Sequence, residues 1–224
     1  MKFKEIAVLT SKESWFVPYA KKLVNLLDQR GYQVKLFFDE QKVDVKYEVV
    51  FILSYFKVIK KSFLKQHKHN LVVHGSDLPK GKGWAPLFWQ ILEGKNKIPI
   101  VLFEAEEKVD AGRIYLKDYI LLEGHELNAE VRRKEAEKTS KLCLEFLKSY
   151  ENLKPVLQKG KSIYYKRRSL KDSRLDLKKS IKRQFNLLRI VNNDEFPAFF
   201  YYKGFKYIVK IFKAGREEVD KNEK

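Results

Sequence analysis

EVVFILS, residues 48–54, is apolar at every position from Val49 to Leu53. A strand with one wet face alternates polar and apolar residues. An unbroken apolar run of this length reads instead as a strand covered on both faces, which implies helices flanking a largely parallel sheet. The flanking sequence agrees. KEIAVLT (residues 4–10) reads as a first strand, β-branched at Ile6 and Val8. Polar residues from Ser11 to Ser14 precede a helix expected over Trp15 to Gln29, with apolar positions at Tyr19, Leu23, Leu26 and Leu27; Arg30-Gly31 closes it. QVKLFF (33–38) is a second strand, a short helix is expected over Lys57 to Lys65, and Asn70 to His74 is a further strand. The order β-α-β-β-α-β places the chain in the α/β class.

Beyond His74 the spacing predicts a helix over Pro86 to Leu92, a strand over Pro99 to Glu104, an extended segment over Arg113 to Leu121 and a long helix over Glu126 to Tyr150. Pro155 marks a boundary. The remainder reads as a small α+β appendage over residues 151–214: a basic turn from Tyr164 to Ser169, a helix over Leu177 to Arg189, and a hairpin of Ala198 to Tyr202 with Lys206 to Phe212, turning at Lys203-Gly204. Residues 1–150 are expected to form the main domain, and residues 215–224 a charged, frayed tail.

The 224 residues carry 47 Lys/Arg against 29 Asp/Glu, a net charge of +18. The excess is uneven: residues 151–224 hold 20 basic against 9 acidic side chains. Such a balance favours a polyanionic partner and leaves its class open among nucleic acid, an anionic membrane surface, a folate polyglutamate and a sugar diphosphate; lysine used for solubility is the plain alternative. No apolar run approaches the roughly 20 residues that cross a bilayer. Met1-Lys2-Phe3-Lys4-Glu5 leads straight into a strand, which argues against a signal peptide. The lone Cys143 forms no intrachain disulfide, and His67, His69, His74 and His125 lack the cysteine partners of a structural zinc site. A cytoplasmic protein without a metal is expected. No GxGxxG follows the first strand, so the dinucleotide fingerprint is missing.

The chemistry is concentrated in VVHGSDLPKGKGWAPLFWQILEGKNKIPIVLFEAEEKVDAGRI, residues 72–114. A strand ends in His74, and a loop rich in Gly and Pro follows. Ligands bind at the C-terminal strand ends of open parallel sheets, and a histidine there can trade protons near neutral pH. A later strand ends in an acidic loop (Glu104, Glu106, Glu107) reaching Asp110-Ala111-Gly112. If the two strands are neighbours, a carboxylate from this loop can meet His74 and form an acid–base pair.

This segment resembles the formyltetrahydrofolate-dependent formyltransferases. Their signature reads Asn-x-His-x-Ser, Leu-Pro, a basic Gly-rich loop, Pro, x-x-Trp and later Asp-x-Gly. Here the positions are Val72, His74, Ser76, Leu78-Pro79, Lys80 to Gly83, Pro86, Trp89 and Asp110-Ala111-Gly112. The resemblance implies a Rossmann-like catalytic domain and 10-formyltetrahydrofolate as co-substrate, with His74 and Asp110 catalytic and Ser76 supporting the loop. It also implies pterin contacts from Lys57, Val58, Ile59 and Trp84 and from Glu106, Glu107, Lys108, Val109 and Asp110. One position departs from it: Val72 replaces the family's asparagine and cannot donate a hydrogen bond to a carbonyl oxygen. Asn70 shares the strand face with Val72 and His74, but four residues at roughly 3.3 Å each put it about 13 Å from His74, so it is not expected to substitute.

The C-terminal segment resembles the region that follows the catalytic domain in sugar-nucleotide N-formyltransferases: Arg167-Arg168, Asp172, Asp176, Asn186-Leu187-Leu188-Arg189 and Pro197-Ala198-Phe199 before a hairpin. The loop KGKGWAP (80–86) and SKESWF (11–16) look most like enzymes of bacterial surface-glycan pathways, including the pseudaminic acid branch. The implied acceptor is a nucleotide-linked amino sugar such as UDP-4-amino-4,6-dideoxy-N-acetyl-altrosamine, with Lys80, Lys82, Arg167 and Arg168 as substrate contacts, since lysine and arginine suit phosphate. No membrane partner and no nucleic acid are expected; an oligomer is left open. The alternatives are transfer to glycinamide ribonucleotide or to methionyl-tRNA, or a non-catalytic basic module whose Tyr164, Tyr165 and Phe199 to Tyr202 stack bases. Against the last, those aromatics alternate as the core of a hairpin would.

Overall fold

A computed structural model describes residues 3–215. The expected frayed tail lies outside the described residues except for Gly215. Six strands form the central sheet in the order β2-β1-β3-β4-β6-β7. β1 (Glu5–Leu9) lies between β2 (Gln33–Phe37) and β3 (Val49–Ile52), and β3 pairs with β4 (His69–His74); these four are mutually parallel. β6 (Lys97–Glu104) runs antiparallel to β4, and β7 (Ile114–Leu121) antiparallel to β6. All four residues of β3 are buried, as the unbroken apolar run implied.

The helices cover both faces. α1 (Val17–Asp28), α3 (Pro86–Leu92) and α4 (Asn128–Ser149) contribute Leu23, Leu27, Phe88, Ile91, Phe146 and their neighbours to the larger core, which also takes Phe51 and Leu71 from the sheet. A second cluster on the other face joins Leu9, Phe37, Val50, Ile52 and Phe63, the last from the short α2 (Lys61–Leu64). Gly31, at φ 84°, takes the left-handed position that ends α1.

The helix expected over Lys57 to Lys65 is only its last part. Before α2 the backbone is drawn elsewhere: the Phe56 N–H donates to Ser11 Oγ at 2.8 Å, and Lys60 is extended at ψ 150°. Residues 57–60 are therefore an open loop at the C-terminal end of β3. The C-terminal helix, α5 (Ile181–Ile190), also starts later than expected. Gln184 holds residues 176–180 in a polar turn, accepting from the Asp176 N–H at 2.6 Å and donating to its carbonyl at 3.0 Å. Ser180 then caps the helix through the Arg183 N–H.

Two short strands were not foreseen. β5 (Lys80–Gly83) lies in the Gly-rich loop and pairs in parallel with β8 (Ile163–Tyr165) from the C-terminal segment. The hairpin of β9 (Ala198–Tyr202) and β10 (Phe205–Val209) turns at Lys203-Gly204, both at positive φ, as its sequence required. Its burial differs from expectation. Ala198 and Phe199 are buried, but Tyr201, Tyr202, Phe205 and Tyr207 are exposed. The face bearing Ala198, Phe200 and Val209 covers a small cluster with Leu175, Leu188 and Val191; Tyr202, Phe205 and Tyr207 continue that same face toward the turn, beyond the cluster's edge.

Candidate active site at the end of β4

β4 carries the site's main determinants. Val72 lies between Ile52 of β3 and Phe103 of β6 and packs among apolar side chains, so β4 offers no side-chain amide near His74. Asn70 is buried nearer the other end of the strand, its amide nitrogen donating to the Leu64 carbonyl at 2.9 Å. It does not stand in for the missing asparagine.

The antiparallel run of β6 changes how a carboxylate reaches His74. Register sets His74 opposite Val101 and Leu71 opposite Glu104, so the strand's acidic end points away from the histidine. Glu104 serves the start of β4, accepting from the Asn70 N–H at 2.6 Å and lying 3.0 Å from His69 Nδ1. Asp110 reaches the site because loop 105–113 turns back.

That return depends on Gly112. A Cβ there would lie 1.8 Å from the Glu104 carbonyl oxygen, an impossible contact for any other residue. Gln158 fastens the turn by donating to the carbonyls of Asp110 (3.1 Å) and Gly112 (2.9 Å). Asp110 itself takes the left-handed conformation, φ 52°.

Strand β5 connects the histidine and the aspartate. His74 Nε2 lies 2.9 Å from the Gly81 carbonyl oxygen, and Asp110 Oδ2 accepts from the Gly83 N–H at 2.9 Å. A carbonyl only accepts, so Nε2 carries the proton and Nδ1 of the neutral ring keeps its lone pair. No direct hydrogen bond joins the two side chains among the described residues; one short strand clamps both. Gly83 has no room for a side chain, since its Cβ would meet the Tyr165 carbonyl oxygen at 2.5 Å and its φ is 92°. Ser76 is buried against Gly81, and its hydroxyl has no hydrogen-bond partner among the described residues.

Three loops meet beside this clamp. Phe56 and Trp84 approach with ring centroids 6.4 Å apart, and Lys61 pairs with Glu107 at 2.7 Å. Lys57 is held by Glu40 at 3.8 Å; Val58 and Val109 are exposed. The backbone N–H groups of residues 106–109 have no hydrogen-bond partner among the described residues. Exposed flat apolar surface beside an unspent backbone edge suits a planar heterocycle with donors and acceptors on its rim, which is the chemistry of a pterin. Of the expected pterin contacts, Val58, Trp84 and Val109 are exposed on the loops that meet here, while Ile59 is half-buried with its side chain against the second core cluster.

The expected phosphate contacts separate. Lys80 is exposed; Lys82 is only 3% exposed, with no ion pair or hydrogen bond to its ammonium among the described residues. The Arg167 guanidinium sits 4.7 Å over the Trp84 ring. Arg168 turns inward and donates to the Asp172 carbonyl and Ser173 Oγ, at 3.3 and 3.4 Å. Trp89 fastens the C-terminal segment by donating to the Lys166 carbonyl at 3.0 Å and stacking on Tyr165. Sequence reasoning missed the parts played by Phe56, Gln158 and Tyr165. Gln158 acts on backbone carbonyls and Tyr165 through its own backbone in a three-residue strand, and neither leaves a periodic signal.

Known proteins share this chain's sequence or its fold. A family model described as formyl transferase matches residues 4–147. A methionyl-tRNA formyltransferase from Caldicellulosiruptor saccharolyticus is 32% identical over 130 residues, covering 58% of this chain and 42% of that protein. The chain thus matches less than half the length of this curated relative. The fold resembles HypX from Aquifex aeolicus in complex with tetrahydrofolic acid, with a TM-score of 0.79 at 19% identity over 92% of this chain and 37% of that one. It also resembles a sugar N-formyltransferase from Shewanella sp., with a TM-score of 0.67 at 15% identity over 95% of this chain and 99% of that one. With the signature seated at the end of β4 and the family model spanning well over half of the residues, the chain belongs to the formyl transferase family.

Proposed function

We propose that this protein transfers a formyl group from 10-formyltetrahydrofolate to the primary amine of a nucleotide-linked amino sugar. The observation that carries this reading is the clamp: His74 and Asp110, distant in sequence, are fixed by the two ends of Gly81–Gly83 near the exposed Trp84 and Val58. Residues 1–150 supply the chemistry and residues 151–214 complete the site's rim. The folate, bound between Trp84, Lys57, Val58 and the backbone of 106–110, supplies the formyl carbon.

The residues divide the work as follows. The acceptor amine must attack as the free base, forming a C–N bond to the formyl carbon as the bond to the folate nitrogen breaks. Because the Gly81 carbonyl holds His74 Nε2–H, Nδ1 is the atom that accepts the amine proton, which then passes to the departing folate nitrogen. Asp110, ionised and held by the Gly83 N–H, stabilises the imidazolium formed in that exchange across the strand. Val72 cannot polarise the carbonyl, so the developing negative charge falls to protonated His74 and to backbone N–H groups.

Full-length fold matches include a methionyl-tRNA formyltransferase as well as a sugar N-formyltransferase, so the fold does not choose the acceptor; the sugar reading rests on the resemblance of the C-terminal segment, and UDP-4-amino-4,6-dideoxy-N-acetyl-altrosamine is the proposed sugar. A cytoplasmic setting goes with that substrate. A second reading, transfer to an aminoacyl-tRNA, is favoured by one feature: the exposed aromatics Tyr201, Tyr202, Phe205 and Tyr207 interleave with Lys203 and Lys206 on the hairpin. The assay that decides is incubation with 10-formyltetrahydrofolate and either a panel of UDP- and dTDP-linked amino sugars or charged methionyl-tRNA. The proposal expects a formyl mass gain on a sugar nucleotide only. A gain on methionyl-tRNA alone overturns the acceptor, and no gain on either overturns the activity.

A further inference from the structure

A cavity of about 410 Å³ shares Gly81 with the clamp but is lined by none of His74, Asp110 and Trp84. Its walls come from the Gly-rich loop, α3, the start of β6 and β8, beyond the C-terminal end of β4. Its volume falls in the range of small-molecule sites, which runs from roughly 300 to 1,000 Å³.

The charge inside is unbalanced. Its two carboxylates are already engaged: Asp77 with Lys117 at 2.5 Å, and Glu93 with Lys95 at 2.7 Å and the Tyr165 hydroxyl at 2.6 Å. Lys80 and Lys97 also line it, and neither forms an ion pair among the described residues; the Lys97 ammonium instead sits 4.6 Å over the Tyr119 ring. Two lysines without an ion pair among the described residues thus line a space whose other walls are Pro99, Ile163, Gln90 and Tyr165. That combination fits a ligand with a dianionic group joined to a flat, weakly polar body.

We propose that this cavity binds the nucleoside diphosphate of the acceptor, with Lys80 and Lys97 on the phosphates and Pro99 and Ile163 against the nucleoside. This rests on the sugar-nucleotide reading above. The site adjoins the chemistry through a single residue, since the Gly81 that lines the cavity also holds His74. A sugar extending from phosphates in the cavity past Gly81 brings its amine toward Nδ1. Lys95, spent on Glu93, orders the wall and does not bind the ligand.

Calorimetric titration of the full chain with UDP and dTDP tests this, with uridine as the phosphate-free control. Wild-type protein is expected to bind at least one diphosphate and not uridine. Replacing both Lys80→Ala and Lys97→Ala removes two charge-assisted contacts and should weaken binding by about 10- to 100-fold. Lys203→Ala with Lys206→Ala removes the same charge from the hairpin and should leave binding unchanged. No diphosphate binding in the wild type, or an unchanged affinity in the cavity variant, overturns the cavity. Equal losses in both variants overturn it too, because the attraction is then general. If the diphosphate binds with the expected pattern while no sugar nucleotide is formylated, the cavity stands and the acceptor reading falls. Circular dichroism melts of each variant separate lost contacts from lost fold.

Discussion

Residues up to Tyr150 and those after Pro155 are stabilised by different means. The first region buries a continuous apolar core against both faces of a six-stranded sheet, and its burial follows hydrophobic periodicity. The second has a small cluster around Leu188, Val191 and Ala198, and leaves Tyr202, Phe205 and Phe212 exposed. It is attached largely by directed polar contacts. Arg189 is 1% exposed; it donates to the Glu126 carboxylate and carbonyl and to the side chains of Asn96 and Asn186. Asn128 reaches the Ile190 carbonyl, and β8 pairs with β5 beneath the clamp. Apolar burial tolerates approximate geometry, whereas a buried ion pair needs every donor placed. The two regions should therefore fail differently when perturbed.

The largest effect should come from the chemistry proposed for the first region. His74→Ala is expected to lower kcat by about 100- to 10,000-fold, the usual share of general acid–base catalysis, with the melting temperature nearly unchanged. Asp110→Asn keeps an acceptor for the Gly83 N–H but loses the charge, so it should lower kcat strongly while leaving the KM for folate close to wild type. Steady-state kinetics on the formylated product check both. Retained turnover in both variants would move the chemistry elsewhere.

Next is the attachment of the second region. Arg189→Ala leaves the Glu126 carboxylate buried beside one remaining cation, Lys134 at 2.7 Å. Breaking a buried pair by removing one partner costs about 3–5 kcal/mol, and Lys134 places this case near the lower end. A chemical denaturation series should show that loss. Acid should test the Glu126 carboxylate itself. Burial alone would raise the Glu126 pKa; the Lys134 ammonium and the N–H groups of Glu123 and Gly124 outweigh it and bring it down to about 2. A carboxyl with a lowered folded pKa stabilises above its unfolded pKa, and that stability drains as pH falls toward the folded value. The wild-type melting temperature should therefore fall between about pH 5 and pH 2 more steeply than that of Glu126→Gln.

The same contrast explains what could be read from the sequence. EVVFILS, KEIAVLT and the helices around Leu23 and Phe146 announced themselves because burial repeats with the period of the element. His74 and Asp110 were legible through the signature's spacing. The β5–β8 pairing was not, because LPKGKG carries no strand pattern and its pairing is fixed by glycines that let backbone meet backbone. Nor was the antiparallel β6, since an apolar strand reads alike in both directions. The hairpin's aromatics were expected to be core by their alternation; alternation identified the strand but could not say that the cluster ends short of the turn, leaving Tyr202, Phe205 and Tyr207 exposed on the same face as the buried Ala198.

Gly83→Ala tests the junction between the two regions more gently. The added methyl would press on the Tyr165 carbonyl oxygen and force a residue with a Cβ to hold a φ of 92°. Backbone strain of this kind costs about 1–3 kcal/mol. The strand can yield by separating from β8, which would loosen the N–H that holds Asp110. The variant should therefore lose less stability than Arg189→Ala yet also lose turnover, a pairing that limited proteolysis near residue 163 together with kinetics would reveal.

The smallest effect should lie at the turn end of the hairpin, where its cluster face runs out into water. Phe205 is 70% exposed and Tyr202 is 53% exposed, so Phe205→Ser and Tyr202→Ser remove side chains already in water. Surface changes away from packing usually stay within about 0.5 kcal/mol, and the melting temperature should hold. A larger loss in either variant, growing with protein concentration in the wild type, would mean that the face is covered in solution by a second copy of the chain. The contrast between the regions would then narrow, because the second region's missing core would be supplied by its own counterpart, and sedimentation of wild type against Phe205→Ser would show it as a shift from dimer to monomer.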